Sequence, residues 1–181
     1  LWGSAGEAAQ RASRALARAQ GLAGEEAVQV PVLTGGRLLA EEMALVPWRS
    51  EKPARRDGPW PGSLPRPTPA TVFRQPPSVR LEDASGRPVV VTARGLLSAL
   101  PAQLFIAAPG APSLQRAGLR AGSGYPVLGH GAPTVIDERW WARDGHRAAR
   151  LQLVVRGASA EETAVLALSR TGEWSLEGLY D

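Results

Sequence analysis

The sequence predicts an α+β fold, mainly β: a small antiparallel sheet or barrel domain with an N-terminal helix and a Pro-rich extended linker. Three observations lead there. Residues 5–20 contain no Pro and are mostly good helix formers. Pro then recurs at 53, 59, 61, 65, 67, 69, 76 and 77. From Val79 onward, short β-branched runs return at intervals of roughly ten residues, the rhythm of an antiparallel sheet or small barrel. The implied division is 1–48, a helix with two short strands; 49–78, the extended segment; and 79–181, the mainly β domain.

The helix opens on Ser4 with Glu7 three residues later, a capping-box pattern in which each side chain can satisfy the other's backbone N–H. Ala8, Ala12, Ala15, Leu16 and Ala19 gather on one side, Arg11, Arg14 and Arg18 on another, and Gly21 supplies the expected stop. Next, "AVQVPVL" (27–33) and "MALVPW" (43–48) read as strands, with Thr34, Gly35 and Gly36 as a turn; the Pro in each places them at an edge or a strand end. The stretch from Arg49 to Pro77 should be extended and partly polyproline-like.

Beyond it, "VRLED", "ASGR" and "PVVVT" form a hairpin pattern with Ser85 and Gly86 in the turn. "GLLSALPAQLFIAA" is apolar but broken by Pro101, so helix and strand compete, with two short strands favoured. The Gly-, Pro- and Ser-rich segment 109–124 reads as a mobile loop. "TVIDERWW", "RLQLVVRG", "AVLALSR" and "EWSLEGLYD" complete the strand series.

Bulk composition narrows the function classes. With 44% hydrophobic residues the chain can build a core. The basic excess is 20 Arg against the single Lys52, an Arg-, Ala-, Gly- and Pro-rich bias typical of a GC-rich genome. A net charge of +4 over 181 residues is compatible with nucleic acid but does not require it. The lack of Cys removes disulfides and thiolate-bound metals. No run approaches about 18 apolar residues and none reads as a secretory leader, so a soluble intracellular protein is expected. The start at Leu1 in place of Met suggests an excised or processed fragment.

Catalytic groups do not converge in the sequence. Glu25/Glu26, Glu41/Glu42 and Glu161/Glu162 are adjacent pairs that point apart on an extended chain. His130 and His146 lie in Gly-containing loops without a third ligand at a recognisable spacing, so no metal or cofactor is expected, and neither a P-loop nor a G-x-S-x-G elbow is present. An enzymatic role would need Asp137, His130 and His146 to meet. The informative stretch is "DERWWARDGHRAAR" (137–150), which interleaves Trp140 and Trp141 with Arg139, Arg143, Arg147 and Arg150. Such a mixture can stack on bases and neutralise phosphates, and Trp with Arg equally often anchors a protein interface. Adjacent Trp residues on a strand face opposite sides, so one belongs in a core and the other outside or over an edge.

Taken in order, "ARAQGLAGEEAVQVPVLTGGR", "LVPW", "PWPGSLPRPTPATV", "GRPVVVTARGLLSALPAQL", "DERWW" and "EWSLEGLYD" resemble the C-terminal region of actinobacterial ImuB, the inactive Y-family polymerase homologue of the DNA-damage mutagenesis cassette. The resemblance covers nearly the whole chain apart from 109–124. It implies a cytoplasmic, nucleoid-associated adaptor in translesion synthesis, bringing an error-prone C-family DNA polymerase and the RecA-like ImuA or ImuA′ protein to the sliding clamp. In the family a Gln-Leu-Pro-Leu-Trp-Gly clamp-binding motif ends the polymerase-like part, and Leu1, Trp2 and Gly3 match its last three positions. An extended Leu-Trp pair burying about 250 Å² would gain on the order of 6 kcal/mol before ordering costs, which suits an exchangeable tether. Trp140, Trp141 and Trp174 are then the candidate partner-interface residues. The alternative is a DNA-binding module in which Arg139, Arg143, Arg147 and Arg150 contact primer-template or single-stranded DNA.

Overall fold

The computed structural model describes residues 4–54, 63–64, 66–107, 112–138, 141–143 and 145–180. The chain divides into two compact units, Leu1–Gly58 and Pro59–Asp181, so the division falls inside the Pro-rich segment. As the sequence predicts, the fold is α+β and mainly β; of the two architectures expected, sheet or barrel, the barrel is found.

In the first unit, α1 spans Ser4–Ala23. It runs past Gly21 to Gly24, whose φ of 97° and N–H bond to Gln20 O supply the stop. The Ser4 side chain of the expected capping box lies outside the described residues. Its half-buried stripe is Ser13, Leu16, Ala17 and Gln20, while Ala8, Ala12, Ala15 and Ala19 are exposed, which corrects the expected apolar face. Gln20 fixes that orientation because its amide donates to Glu25 O (3.1 Å) and Trp48 O (2.9 Å). Both expected strands form, β1 at Gln29–Leu33 and β2 at Met43–Pro47. They pair antiparallel with Leu33 opposite Met43, and a two-stranded ribbon tolerates Pro31 and Pro47 because every strand in it has an open edge. The connection carries a four-residue helix, α2 (Leu39–Glu42), with Leu38 and Leu39 buried.

The second unit contains β3 (Thr71–Val72), β4 (Ser78–Glu82), β5 (Gln103–Ile106), α3 (Pro112–Arg116), β6 (Ser123–His130), β7 (Thr134–Glu138), β8 (His146–Arg156), β9 (Glu162–Arg170) and β10 (Glu173–Leu179). Strands β4, β5, β6, β8, β9 and β10 each pair antiparallel with the next, and β10 returns to β4, closing a six-stranded barrel. Two strands share their neighbours' edges. β3 pairs with the C-terminal half of β10 where β4 covers the N-terminal half, and β7 pairs with the N-terminal half of β8 where β6 covers the C-terminal half.

Alternation sorts the side chains. Val79, Leu81, Leu104, Ile106, Tyr125, Leu151, Leu153, Val155, Val165, Ala167, Trp174 and Leu176 point inward into one core with Leu114, Leu119, Val89 and Phe73. The 109–124 segment is therefore not simply a loop: α3 delivers Leu114 and the turn after it Leu119, both fully buried. The 49–78 segment likewise ends as part of the barrel, through β3 and the buried Pro69, Phe73 and Pro77. The expected hairpin after Val79 forms, although its second arm makes isolated bridges (Glu82 to Pro88, Val91 to Leu97) in place of a regular strand. Its turn is clamped by Asp83, whose Oδ1 accepts from the backbone N–H groups of Ser85 and Arg87 and from the Ser85 hydroxyl. These donors pull the carboxyl from its ordinary 3.8 to about 2, the Arg87 N–H most, with burial opposing. Among the described residues no helix is long and apolar enough to cross a membrane.

Candidate interaction surface at the β7–β8 end of the barrel

The predicted Trp and Arg residues fall mostly between β7 and β8. The strands are in register from Thr134 opposite Arg150 to Glu138 opposite His146. Between the two strands the described residues 141–143 and 145 form a turn, closed by a Gly145 N–H bond to Ala142 O of 3.0 Å. Trp141 sits on this turn and is 72% exposed, and Arg143 and His146 are exposed beside it. Arg139 and Trp140 lie outside the described residues, as do Leu1, Trp2 and Gly3.

Arg147 fixes the base of the turn. Its Nη2 donates to Ala93 O (2.8 Å) and its Nε stands 3.4 Å from Asp137 Oδ1. This ties the β7–β8 connection to the bridged arm at 91–97. Gly95 approaches so closely there that a Cβ on it would lie 2.7 Å from Val135 Cγ2. Beside the turn opens a cleft of about 390 Å³ lined in part by Thr92, Gly145, Arg147, Ser169 and Thr171. Sequence reasoning did not find Ser169 and Thr171, because only the β8–β9 register brings the end of β9 alongside the start of β8.

Two expectations are corrected. Arg150 is not available to phosphates: it is 2% exposed, and its Nε and Nη2 each donate at 2.7 Å to the carboxylate of Glu177, itself 2% exposed. Register places Arg150 opposite Leu168, on the side of β8 away from the core residues Leu151 and Leu153. A bulge between Leu176 and Gly178 leaves Glu177 as the extra residue of β10, which turns it toward the same outer face. There Ile136, Ala148, Leu166 and Leu168 are also buried, so the ion pair is enclosed by apolar side chains. Trp174, expected at a partner interface, is 5% exposed inside the barrel, and its indole N–H donates to Val89 O at 2.7 Å. It holds the 88–91 arm against the core and presents no surface.

His130 and His146, which an enzymatic role was expected to bring together with Asp137, stand apart. His130 pairs opposite Leu153 and His146 lies at the start of β8, seven positions away (153 − 146), about 23 Å at roughly 3.3 Å per residue. Among the described residues no group of three His, Asp or Glu is placed to hold a metal ion. What the surface offers is a large exposed indole on a turn tied down at its base by Arg147, with Arg143 near it in the chain and a cleft of mixed polar and apolar lining reaching Gly145 and Arg147. Comparison with protein-family models, with curated proteins and with solved structures gave no match to the chain.

Proposed function

We propose that this chain is a non-catalytic adaptor, the protein-interaction region of an ImuB-type Y-family polymerase homologue. It acts in DNA-damage-induced translesion synthesis and mutagenesis, at the nucleoid in the cytoplasm. In this reading it brings an error-prone C-family polymerase and an ImuA-type RecA-like protein to the sliding clamp. Support comes from the ordered sequence resemblance and from one observation: Trp141 is 72% exposed on a turn whose base is pinned by Arg147. An exposed indole carries a large apolar contact area, the character of an interface anchor.

The test is capture of the purified polymerase and of the ImuA-type protein by the 181-residue chain. Trp141→Ala should weaken at least one of them by about 2 kcal/mol or more, ~30-fold in Kd, without changing the unfolding temperature. Failure of the folded chain to bind either protein would overturn the proposal.

DNA binding is the second reading, favoured by the exposure of Arg143 beside Trp141. With Arg150 enclosed, it rests on Arg139, Arg143 and Arg147. Replacing Arg143 and Arg147 by Ala should then reduce the salt slope of single-stranded DNA affinity by about 1.4 in log–log terms. No binding at about 50 mM salt removes it.

A further inference from the structure

A second hollow lies elsewhere on the barrel, on the outer face of β6, β8 and β9. Its origin is a cross-strand row of small side chains. Gly129 pairs with Val154, and Val154 pairs with Ala164, so the three occupy one row. Partners directly across an antiparallel ladder share a face, and Leu153 and Val155 on either side of Val154 belong to the core, so this row faces outward. Where neighbouring outward positions carry larger groups, the row leaves a depression. One wall is Gln152 and Tyr180, joined by a Gln152 Nε2 to Tyr180 Oη hydrogen bond of 2.8 Å. The other is the Arg66–Pro67 segment, and the cavity between them measures about 610 Å³.

The lining chemistry is one-sided. The floor is Val, Ala and Gly; among the described lining residues the ionisable side chains are Arg66, His130 and Tyr180, and none is a carboxylate. A cavity of this size accepts one or two side chains of a peptide, and an apolar floor under an Arg selects an aliphatic or aromatic side chain beside an acidic one. A phosphate backbone would gain from the Arg but nothing from Val154, Ala164 and Pro67.

We infer that this groove is a docking site for a short acidic-hydrophobic peptide segment of a partner protein, seating its apolar side chain over Gly129, Val154 and Ala164 and its carboxylate at Arg66. The site is separate from Trp141 and does not depend on which proteins the adaptor reading names.

Gly129 makes the inference testable, because a Cβ built on it meets nothing within 4 Å, so a side chain added there enters the groove without displacing packed atoms. The probe is acetyl-Asp-Leu-Phe-amide titrated into the ¹⁵N-labelled full chain, with acetyl-Asn-Leu-Phe-amide as the uncharged control. Saturable amide shifts should centre on Gly129, Gly131, Gln152 and Ala164 in the millimolar range. Binding should weaken about three- to fivefold with the Asn peptide or with Arg66→Ala. It should weaken more than about tenfold in Gly129→Phe, which fills the floor. Ala164→Leu, which raises the same floor from β9, serves if Gly129→Phe does not fold. Absence of shifts at these amides, equal affinity for the two peptides, or unchanged affinity in a folded floor variant would overturn the inference. So would oligo-dT displacing the peptide from the same amides. None of these results bears on polymerase capture, so the two proposals fail separately.

Discussion

Removing one member of the Arg150–Glu177 pair should be among the most damaging single substitutions in the barrel. Both residues are 2% exposed, and both hydrogen bonds, at 2.7 Å, are between charged groups. Arg150→Met leaves the Glu177 carboxylate among Leu166, Leu168 and Ile136 without its guanidinium, and breaking such a pair from one side costs about 3–5 kcal/mol. With an m-value of about 2 kcal/mol/M, the urea midpoint falls by roughly 1.5–2.5 M. The double replacement Arg150→Met/Glu177→Leu removes both charges. It also removes Arg150 Nη1, a buried donor without a hydrogen-bond partner. It should therefore be more stable than either single variant, with a coupling energy of about 2 kcal/mol or more. The assay is urea unfolding followed by tryptophan fluorescence across the four-protein cycle. If Arg150→Met unfolded at the parent's midpoint while DNA affinity dropped, the side chain would be a surface phosphate ligand and the enclosed pair would be refuted.

Leu114→Ala should cost about 2–5 kcal/mol by calorimetry, because α3 plugs the barrel; a loss under about 0.5 kcal/mol would return 112–116 to the status of a loop. Gly178→Ala should cost about 1–3 kcal/mol and speed proteolysis within 63–77, since its Cβ would stand 2.7 Å from Pro69 Cβ and 2.8 Å from Thr71 O. Unchanged stability would show that the Pro69–Thr71 stretch does not press on β10. Asp83 binds its proton more weakly in the folded state than in the unfolded one, so its contribution is complete above about pH 4 and is lost as pH falls through about 2. Asp83→Asn should flatten that acid limb in pH-resolved thermal unfolding, and an unaltered limb would assign it to other carboxylates.

Local signals made much of this legible. α1 is legible from its helix formers and lack of Pro, though not its buried face, and β1, β2, β7, β9 and β10 from alternating and β-branched runs, because each depends mainly on its own residues. What failed depended on partners distant in sequence. β6 was not recognised because Pro126 and two glycines dilute "SGYPVLGH", yet Pro126 sits opposite Gln103 and the strand is held from both sides by β5 and β8. α3 hid in a composition that reads as loop, since Leu114 acquires its meaning only from the barrel it fills. The candidate site was half visible. The Trp pair marked the β7–β8 turn in the sequence without saying which indole is exposed, whereas Arg150 looked like its neighbours until the bulge at Glu177 supplied a partner 27 residues away. The groove at Gly129 had no sequence signature at all, being a row defined by the register of three strands.

Closure of the ring by β10 against β4 also orders events during synthesis. Each earlier pair joins strands close in the chain, and so can form as the chain emerges, but the last seam joins Val79 to Trp174. Until residues 173–179 leave the ribosome, β4 and β9 each present an unpaired edge, and the apolar residues destined for the core lack their cover. The final seam therefore sets the interval during which a nascent chain is exposed to misassociation. A ribosome stall before Glu173 should yield a chaperone-bound or protease-sensitive species, while a stall late enough for residues 173–179 to clear the exit tunnel should yield a closed one.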